Sequence, residues 1–270
     1  MNITLGPLVF NAVHLLFALS FLVALAIGHW HGRRKGVNAA GVLADMLLVC
    51  LVVARLAFVA AWFDQYAREP LSILDIRDQG FMMWPGLVGA ALYGAWRVTR
   101  KRALAEPLAA SVIAGSLAWF MSGASSVATM GEQQAVPAVA LTAMDGSAAT
   151  LAQVAARKPL VVNLWATWCP PCRHEMPVLA QAQRDHPEVA FVFVNQGEAA
   201  GTVAAYLGRA GLQLDHSLLD QPKALGQSVG SLALPTTFFY DERGRLADTH
   251  IGMLSAATLR AKLAAIEGKN

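Results

Sequence analysis

The sequence predicts two domains: an α-helical transmembrane bundle of about four spans over residues 1–130, and an α/β domain over residues 131–270. Hydrophobic residues make up 56% of the chain and charged residues 14%. That composition is too apolar for one soluble globule, but it suits a membrane half joined to a soluble half. Long apolar runs fill the first half, whereas short β-branched runs alternate with helical segments in the second.

The charges agree with this division. Ten Lys or Arg stand against six Asp or Glu up to Met130, and eleven stand against twelve from Gly131 onward. The formal net charge of +3 therefore originates in the first half, as expected for basic membrane loops. No basic face interleaved with aromatic residues is present in the sequence, so we expect no nucleic-acid partner.

Four apolar runs form the first half: Pro7 to Gly28, Ala39 to Phe63, Phe81 to Trp96 and Leu104 to Val127. Three of them reach the roughly 20 residues that cross the hydrocarbon core of a bilayer. The third is shorter and contains a Trp84-Pro85-Gly86 break, which predicts a short, kinked span or a re-entrant segment. The first run is interpreted as a retained span, because no basic residue precedes it and basic residues follow it.

Loop charges predict the orientation of these spans. Loops one and three contain most of the basic residues: Arg33, Arg34, Lys35, Arg97, Arg100, Lys101 and Arg102. The second loop, Asp64 to Gly80, has only Arg68 and Arg77. By the positive-inside rule, loops one and three face the cytoplasm, and four spans place both termini outside. We therefore expect a multi-pass protein of a bacterial inner membrane with its second half in the periplasm, provided that the third run crosses.

The second half opens with a linker-like stretch, Met130 to Pro137, and then alternates strands with helices. Strands are predicted over Pro159 to Trp165, Val189 to Asn195, Thr236 to Tyr240 and Leu246 to Ile251, with a turn at Asp241 to Gly244. Helices are predicted over Pro171 to Arg184, Ala199 to Ala210 and Ser255 to Ile266, the last with Ser255 as N-cap.

The motif that decides the chemistry is Trp168-Cys169-Pro170-Pro171-Cys172, at the start of the first of these helices. Two cysteines at this spacing can close a small disulfide ring, and the helix N-terminus favours the Cys169 thiolate. Cys169 is therefore predicted to attack a disulfide and Cys172 to resolve the mixed disulfide. The alternatives are a purely structural bridge and half of a zinc site, which would need two further ligands. We predict neither a metal nor a cofactor.

The stretch from Asn163 to Pro177, NLWATWCPPCRHEMP, resembles the active-site region of TlpA/ResA-type thiol:disulfide oxidoreductases. The resemblance extends over roughly Val136 to Glu267 and implies a thioredoxin-like fold. It also implies that Glu175 assists proton transfer, because Asn163 replaces the buried Asp of thioredoxin. The alternative for Glu175 is a solvated carboxylate on the helix face. His174 is expected to be a solvent-facing residue of the same helix.

The same resemblance implies a substrate-binding surface around the cysteines. Leu234-Pro235-Thr236 matches the position of the family's cis-proline, which would lie against the cysteines and expose backbone groups to a substrate strand. An ordinary trans proline is the alternative. Trp168, Leu234 and Thr236 are the expected substrate-binding residues, and Trp165 and Trp168 are expected to pack around the site.

The first half resembles the early spans of prolipoprotein diacylglyceryl transferase over about Leu8 to Gly94. Three segments support this resemblance: Val53 to Val59, Glu69 to Leu74 and Trp84 to Gly89. The family's His-Gly-Gly is Trp84-Pro85-Gly86 here, and the later spans of the family are absent. Lipid transfer is therefore only an alternative to an anchoring role.

Two charges lie within the predicted spans, where charges are costly and usually functional. Asp45 and Arg55 are ten residues apart, about 15 Å along a helix, so they are not expected to pair with each other. Arg55 is expected either to bind a lipid headgroup or to extend to the outer interface, which makes membrane lipids a predicted partner.

Cys50 lies in the middle of the second run and is expected to be a small packing residue. A relay through the spans would need a cysteine pair, so the electrons must come from a separate membrane donor of the CcdA/DsbD type. Pro170 and Pro171 offer the thiolate neither a side-chain donor nor a backbone N–H. We therefore expect a reductase of oxidised periplasmic proteins, such as apocytochrome c, with a thiol oxidase or isomerase as the alternative.

Overall fold

The computed structural model describes residues 2–5, 8–67, 70–123 and 135–266, which fall into two compact units, Ile3–Thr129 and Met130–Asn270. The first unit begins with a two-stranded sheet of β1 (Asn2–Leu5) and β2 (Leu8–Asn11). Its helices are α1 (Ala12–Arg34), α2 (Ala39–Ala61), α3 (Phe63–Tyr66), α4 (Met83–Arg100) and α5 (Ala105–Met121). Single 3-10 turns lie at Pro70–Leu74, Ile76–Asp78 and Arg102–Leu104.

Three helical segments of the described chain are long and apolar enough to cross a membrane: Val13–Arg34, Ala39–Ala61 and Arg102–Met121. The first of these segments starts later than its apolar run and also ends later. It ends later because Arg33 and Arg34 stay in the last turn of α1, where the helix dipole favours cations. α4 is not among the three, yet it is an uninterrupted helix of 18 residues. The predicted break at Trp84-Pro85-Gly86 lies in the first turn of α4, where a proline removes no intrahelical hydrogen bond.

Small residues allow α2 and α4 to pack closely. A Cβ atom placed on Gly86 would lie 2.6 Å from the carbonyl oxygen of Cys50 and 3.0 Å from its Sγ. Cys50 is partly buried and forms no disulfide. It is therefore a packing residue, as predicted, and its close contact with α4 requires glycine at position 86.

Arg55 is buried, which contradicts both predictions for it. Its Nη1 lies 2.8 Å from Asp78 Oδ1, and Asp78 also accepts a hydrogen bond from the Tyr66 hydroxyl. The guanidinium donates as well to the carbonyl oxygens of Ser72, Ile73, Asp75 and Gly80. The loop after α2 thus folds over a paired charge instead of leaving it at the lipid interface. Asp45 bonds to Tyr93 and Arg97, so the two charges do not pair with each other, as predicted.

The second unit contains a seven-stranded sheet in the order β4-β3-β7-β6-β5-β8-β9. The strands are β3 (Leu141–Ala143), β4 (Ala148–Ala149), β5 (Leu160–Trp165), β6 (Ala190–Gln196), β7 (Ser217–Asp220), β8 (Thr236–Tyr240) and β9 (Leu246–Ile251). β5, β6 and β7 run parallel, whereas β8 lies antiparallel to β5. The helices are α6 (Leu151–Ala155), α7 (Pro170–Asp185), α8 (Ala200–Ala210), α9 (Ala224–Ser228) and α10 (Ala256–Ile266).

Alternate residues of β5 face two separate cores, one on each side of the sheet. Val161 and Trp165 join the core that α7, α8 and α10 cover. Leu160 and Leu164 join the core under α6 and α9. Asn163 falls between Val161 and Trp165 in this alternation, so it points towards α7. The strand therefore places one polar side chain inside the core beside the cysteine helix.

The predicted boundaries of the second half agree with the structure at one helix cap and one turn. Thr258 N–H donates to Ser255 Oγ, which confirms Ser255 as the N-cap of α10. Gly244 has φ +70° and its N–H donates to the Asp241 carbonyl, which closes the predicted turn. Of the linker-like stretch, residues 130–134 lie outside the described residues, while Val136 N–H donates to the Gly244 carbonyl. The end of the stretch is therefore attached to the sheet.

Replacing Arg55 by Met should destabilise the first unit strongly. The substitution leaves the buried Asp78 carboxylate without its cation, and breaking a buried ion pair costs about 3–5 kcal/mol. Arg97→Met is the matched control, because its ion pair with Asp45 is exposed and should contribute much less. Thermal unfolding of the full chain in detergent, followed by helical circular dichroism, measures both. Equal midpoints for the two variants would contradict the role assigned to Arg55.

Candidate active site

The dithiol lies where β5 ends and α7 begins. Cys169 is the N-cap of α7, and Cys172 N–H donates to its Sγ at 3.3 Å. The two cysteines form a disulfide, with their Cα atoms 5.3 Å apart. Pro170 and Pro171 occupy the first two helical positions. Since proline has no N–H, the first turn offers the Cys169 sulfur one backbone donor, that of Cys172.

Burial distinguishes the two cysteines and the two tryptophans around them. Cys169 is 3% exposed and Cys172 is fully buried, so an incoming sulfur can reach Cys169 more easily. Trp165 is also fully buried, with its ring centroid 5.6 Å from that of Tyr206. Trp168 is 63% exposed, so the prediction that it packs around the site is wrong. Its exposed ring beside Cys169 stays a proposed contact for substrate.

Glu175 is fully buried one helical turn after Cys172, on the same side of α7. Its Oε1 accepts a hydrogen bond from Asn163 Nδ2 at 2.7 Å, and its Oε2 accepts one from Leu254 N–H at 2.8 Å. Desolvation raises the pKa of Glu175 to about 7, and the two hydrogen bonds limit that rise. The alternative of a solvated carboxylate is therefore wrong, whereas His174 is exposed, as expected.

Asn163 connects this carboxyl group to the neighbouring strand. Its Nδ2 also donates to Thr237 Oγ1 at 2.9 Å, while its Oδ1 has no hydrogen-bond partner among the described residues. Because an amide carries both donors and an acceptor, a half-turn of Asn163 would let it accept from a protonated Glu175. Asn163 can therefore match either protonation state of the carboxyl group.

The loop before β8 lies at the same end of the sheet as the dithiol, because Thr236 pairs with Leu164 near the end of β5. The Leu234–Pro235 peptide bond is cis, as the resemblance implied. Leu234 is partly buried against the cores on both sides of the sheet. Thr236 is fully buried and its hydroxyl donates to the Ala233 carbonyl at 2.7 Å. Its side chain thus faces inward, and the contact of Thr236 with substrate, through its backbone groups, stays a prediction.

One carboxylate near the site was missed from the sequence. Glu198 accepts hydrogen bonds from Thr167 N–H at 2.7 Å and from the Thr167 hydroxyl at 2.6 Å. Asn195 Nδ2 donates to the same side chain at 2.8 Å. Glu198 therefore fixes the turn that leads into Cys169. The sequence signal that could have revealed Glu198 is its position just after β6, because the carboxyl ends of the parallel strands β5 and β6 lie side by side.

Comparisons with known proteins agree with this geometry. The Redoxin family model matches residues 131–263. The thioredoxin-like protein YneN of Bacillus subtilis strain 168 is 30% identical over 136 residues, which cover 49% of this chain and 78% of YneN. The chain belongs to the thioredoxin-like redoxins.

Other thioredoxin-like redoxins and a membrane family also match. The thiol:disulfide interchange protein DsbE of Pseudomonas fluorescens biotype C is 32% identical over 117 residues, 43% of this chain and 65% of DsbE. The crystal structure of StoA from Bacillus subtilis has 25% sequence identity and a TM-score of 0.41, and the match covers 48% of this chain and 99% of that one. The prolipoprotein diacylglyceryl transferase model matches residues 1–123. Both resemblances seen in the motifs are thus confirmed.

Replacing Glu175 by Gln should remove a pH dependence of stability. The pKa of Glu175 rises from an ordinary 4.5 to about 7 on folding, so only the folded state keeps this proton between those values. The free energy of unfolding should therefore fall as pH rises through this window, by about 3 kcal/mol in total. Chemical unfolding of the oxidised full chain in detergent at pH 5, 6 and 8 measures the fall.

The informative quantity is the difference between wild type and Glu175→Gln at each pH. Hydrogen bonds that the Gln side chain loses shift this difference by a constant, whereas the titration changes it with pH. Glu242→Gln, at an exposed turn position, is the control and should parallel wild type. A Glu175→Gln profile that also parallels wild type would contradict the buried, proton-binding carboxyl group.

Proposed function

We propose that the second unit is a reductase of protein disulfides, and that the first unit anchors it at the outer face of a bacterial inner membrane. The supporting observation is the combination of Cys169 at the N-cap of α7, the buried Cys172 beside it, and a buried carboxyl group one turn further on. The printed names of the relatives, thiol:disulfide interchange protein among them, are consistent with this chemistry.

In the reduced enzyme, the Cys169 thiolate attacks one sulfur of a substrate disulfide. A mixed disulfide forms as the substrate S–S bond breaks, and the second substrate sulfur leaves as a thiolate that takes up a proton. Cys172 then loses its proton and attacks Cys169 Sγ; the bond from Cys169 to the substrate breaks, and the first substrate sulfur leaves as a thiolate that also takes up a proton. The substrate gains two electrons and two protons, and the enzyme is left with the Cys169–Cys172 disulfide.

Glu175 is the proposed acceptor of the Cys172 proton. A group with a pKa of about 7 can both accept and return a proton near neutral pH, which is the condition for general acid–base catalysis. Its position one turn from Cys172 directs this exchange to the resolving cysteine. Pro235 and Leu234, at the same end of the sheet, are proposed to border the substrate strand beside Cys169.

Reduction is favoured over oxidation by the residues between the cysteines. A well-stabilised thiolate makes an oxidising enzyme, as in DsbA, because it stabilises the reduced form. Here Pro170 and Pro171 contribute no N–H, so within this turn Cys169 Sγ accepts a backbone hydrogen bond from Cys172 N–H alone. The thiolate is therefore less stabilised, and the dithiol is the better reductant. A thiol oxidase or isomerase is the alternative.

The source of electrons and the location follow from the first unit. Cys50 is the one cysteine of this half, so the spans cannot pass electrons through a dithiol pair. A separate membrane donor of the CcdA/DsbD type is proposed to reduce the enzyme, with oxidised periplasmic proteins such as apocytochrome c as substrates. Lipid transfer is not proposed, because Trp84-Pro85-Gly86 replaces the His-Gly-Gly of the transferase family.

Replacing Cys172 by Ser should trap substrates on Cys169. Attack survives in this variant, whereas resolution does not, so mixed disulfides accumulate. Cys169→Ser is the matched control and should trap far less, and Cys50→Ser should behave as wild type. Non-reducing electrophoresis of membranes quenched with acid and alkylated shows the adducts. Adducts with Cys169→Ser but not with Cys172→Ser would reverse the assignment of the two cysteines.

Reporter fusions test the orientation. Alkaline phosphatase fused after residue 270 should be active, since this enzyme folds only outside the cytoplasm, and fusions after residues 36 and 101 should be inactive. The reason is the density of basic residues in loops one and three, which positive-inside orientation retains in the cytoplasm. An inactive C-terminal fusion at normal expression would show that α4 does not cross and would contradict the periplasmic location.

A further inference from the structure

A cavity of about 420 Å³ lies beside the dithiol, between the beginning of α7 and the end of α8. It is lined by Thr167, Arg173, Tyr206, Arg209 and Ala210. Thr167 precedes Cys169 by two residues, and Arg173 directly follows Cys172, so the cavity borders the turn that contains the two cysteines. Its size falls within the range of small-ligand pockets. Nothing in the proposed disulfide chemistry uses it.

The cavity is positively charged and its cations are held in place. The Arg173 guanidinium lies 5.9 Å from the centroid of the Tyr206 ring, which in turn packs on the buried Trp165. Arg209 is steadied by a hydrogen bond from its Nε to the Ala205 carbonyl. Neither guanidinium forms an ion pair with a carboxylate of residues 135–266. Their remaining N–H groups are available to an incoming acceptor.

The neighbouring carboxylate of Glu198 offsets part of this charge, but within residues 135–266 it forms no ion pair with either guanidinium. Glu198, which lies beside Thr167, directs its two oxygens to Thr167 and Asn195. The second half as a whole has eleven basic against twelve acidic residues. The positive charge at the cavity therefore comes from these two arginines and not from a net positive charge of the second half.

We propose that this cavity binds a carboxylate of the substrate protein, an Asp or Glu side chain close to the disulfide that is to be reduced. Arginine donates paired hydrogen bonds in a geometry that matches a carboxylate. Occupation of the cavity would hold the substrate disulfide beside Cys169 and make the enzyme prefer disulfides flanked by acidic residues. This inference rests on the proposed reductase function and names the class of substrate for that function.

The test compares three small disulfides that differ in charge: oxidised glutathione, which carries carboxylates, neutral hydroxyethyl disulfide, and cationic cystamine. The reduced full chain in detergent is mixed with each, and the second-order rate constant is followed by quenched alkylation of Cys169. Arg209→Gln is the main variant, because it lines the cavity without adjoining the dithiol. Arg184→Gln is the control, since Arg184 is exposed on α7 outside the cavity lining.

Arg209→Gln should lower the rate constant for oxidised glutathione about tenfold, as expected for loss of a charge-assisted hydrogen bond. The rate constant for hydroxyethyl disulfide should stay within about twofold of wild type, and that for cystamine should not fall. Arg184→Gln should leave all three rate constants near wild type. Arg173→Gln should repeat the selective loss on glutathione.

Three results would overturn the inference. An unchanged rate constant for oxidised glutathione in Arg209→Gln would show that the cavity does not bind its carboxylates. An equal loss on all three disulfides would show that Arg209 acts on the dithiol and not on the substrate charge. An equal loss on glutathione with Arg184→Gln and Arg209→Gln would show that the effect comes from surface charge in general and not from binding in the cavity. Failure of the wild-type protein to reduce hydroxyethyl disulfide would instead contradict the reductase function itself, so the two claims fail in distinguishable ways.

Discussion

The burial of Glu175 is the constraint on which the arrangement of the active site depends. Its two oxygens join three parts of the fold: Asn163 on β5, its own helix α7, and the backbone N–H of Leu254 before α10. A second carboxylate in place of Asn163 would repel Glu175 in this desolvated position, whereas an amide donates to it. Desolvation of the carboxyl group lowers stability above neutral pH, and the same desolvation brings its pKa to about 7, which the proposed proton transfer requires.

This arrangement separates the tasks of the two cysteines. Cys169 receives one backbone hydrogen bond from the first turn of α7, since Pro170 and Pro171 supply none. In the proposed mechanism its thiolate is therefore modestly stabilised and remains a good nucleophile. Cys172 is fully buried and depends on a neighbouring group to take its proton. Glu175, the proposed acceptor of that proton, lies one turn away, so the proposed attack and resolution depend on different parts of the same helix.

Much of this was predictable from the sequence, because local patterns determine it. The β-branched runs predict β5 and β6, which lie in the middle of the sheet. The cysteine motif with its two prolines predicts the start of α7. The shortest elements, such as β4 and α9, bury too few residues to leave a periodic signal, although the Thr150–Gln153 capping box marks the start of α6. The contacts of Glu198 with Thr167 and of Arg55 with its loop join residues far apart in the chain. Local patterns do not contain them.

The central claim is that the Cys169–Cys172 pair is a reductant, and its reduction potential tests that claim most directly. The full chain in detergent is equilibrated with glutathione buffers at pH 7, and the oxidised fraction of the pair is measured by alkylation and mass spectrometry. We expect a potential between about −180 mV, typical of protein disulfide isomerase, and the thioredoxin value near −270 mV, or lower. A potential above about −180 mV would contradict the account and indicate a thiol oxidase or isomerase.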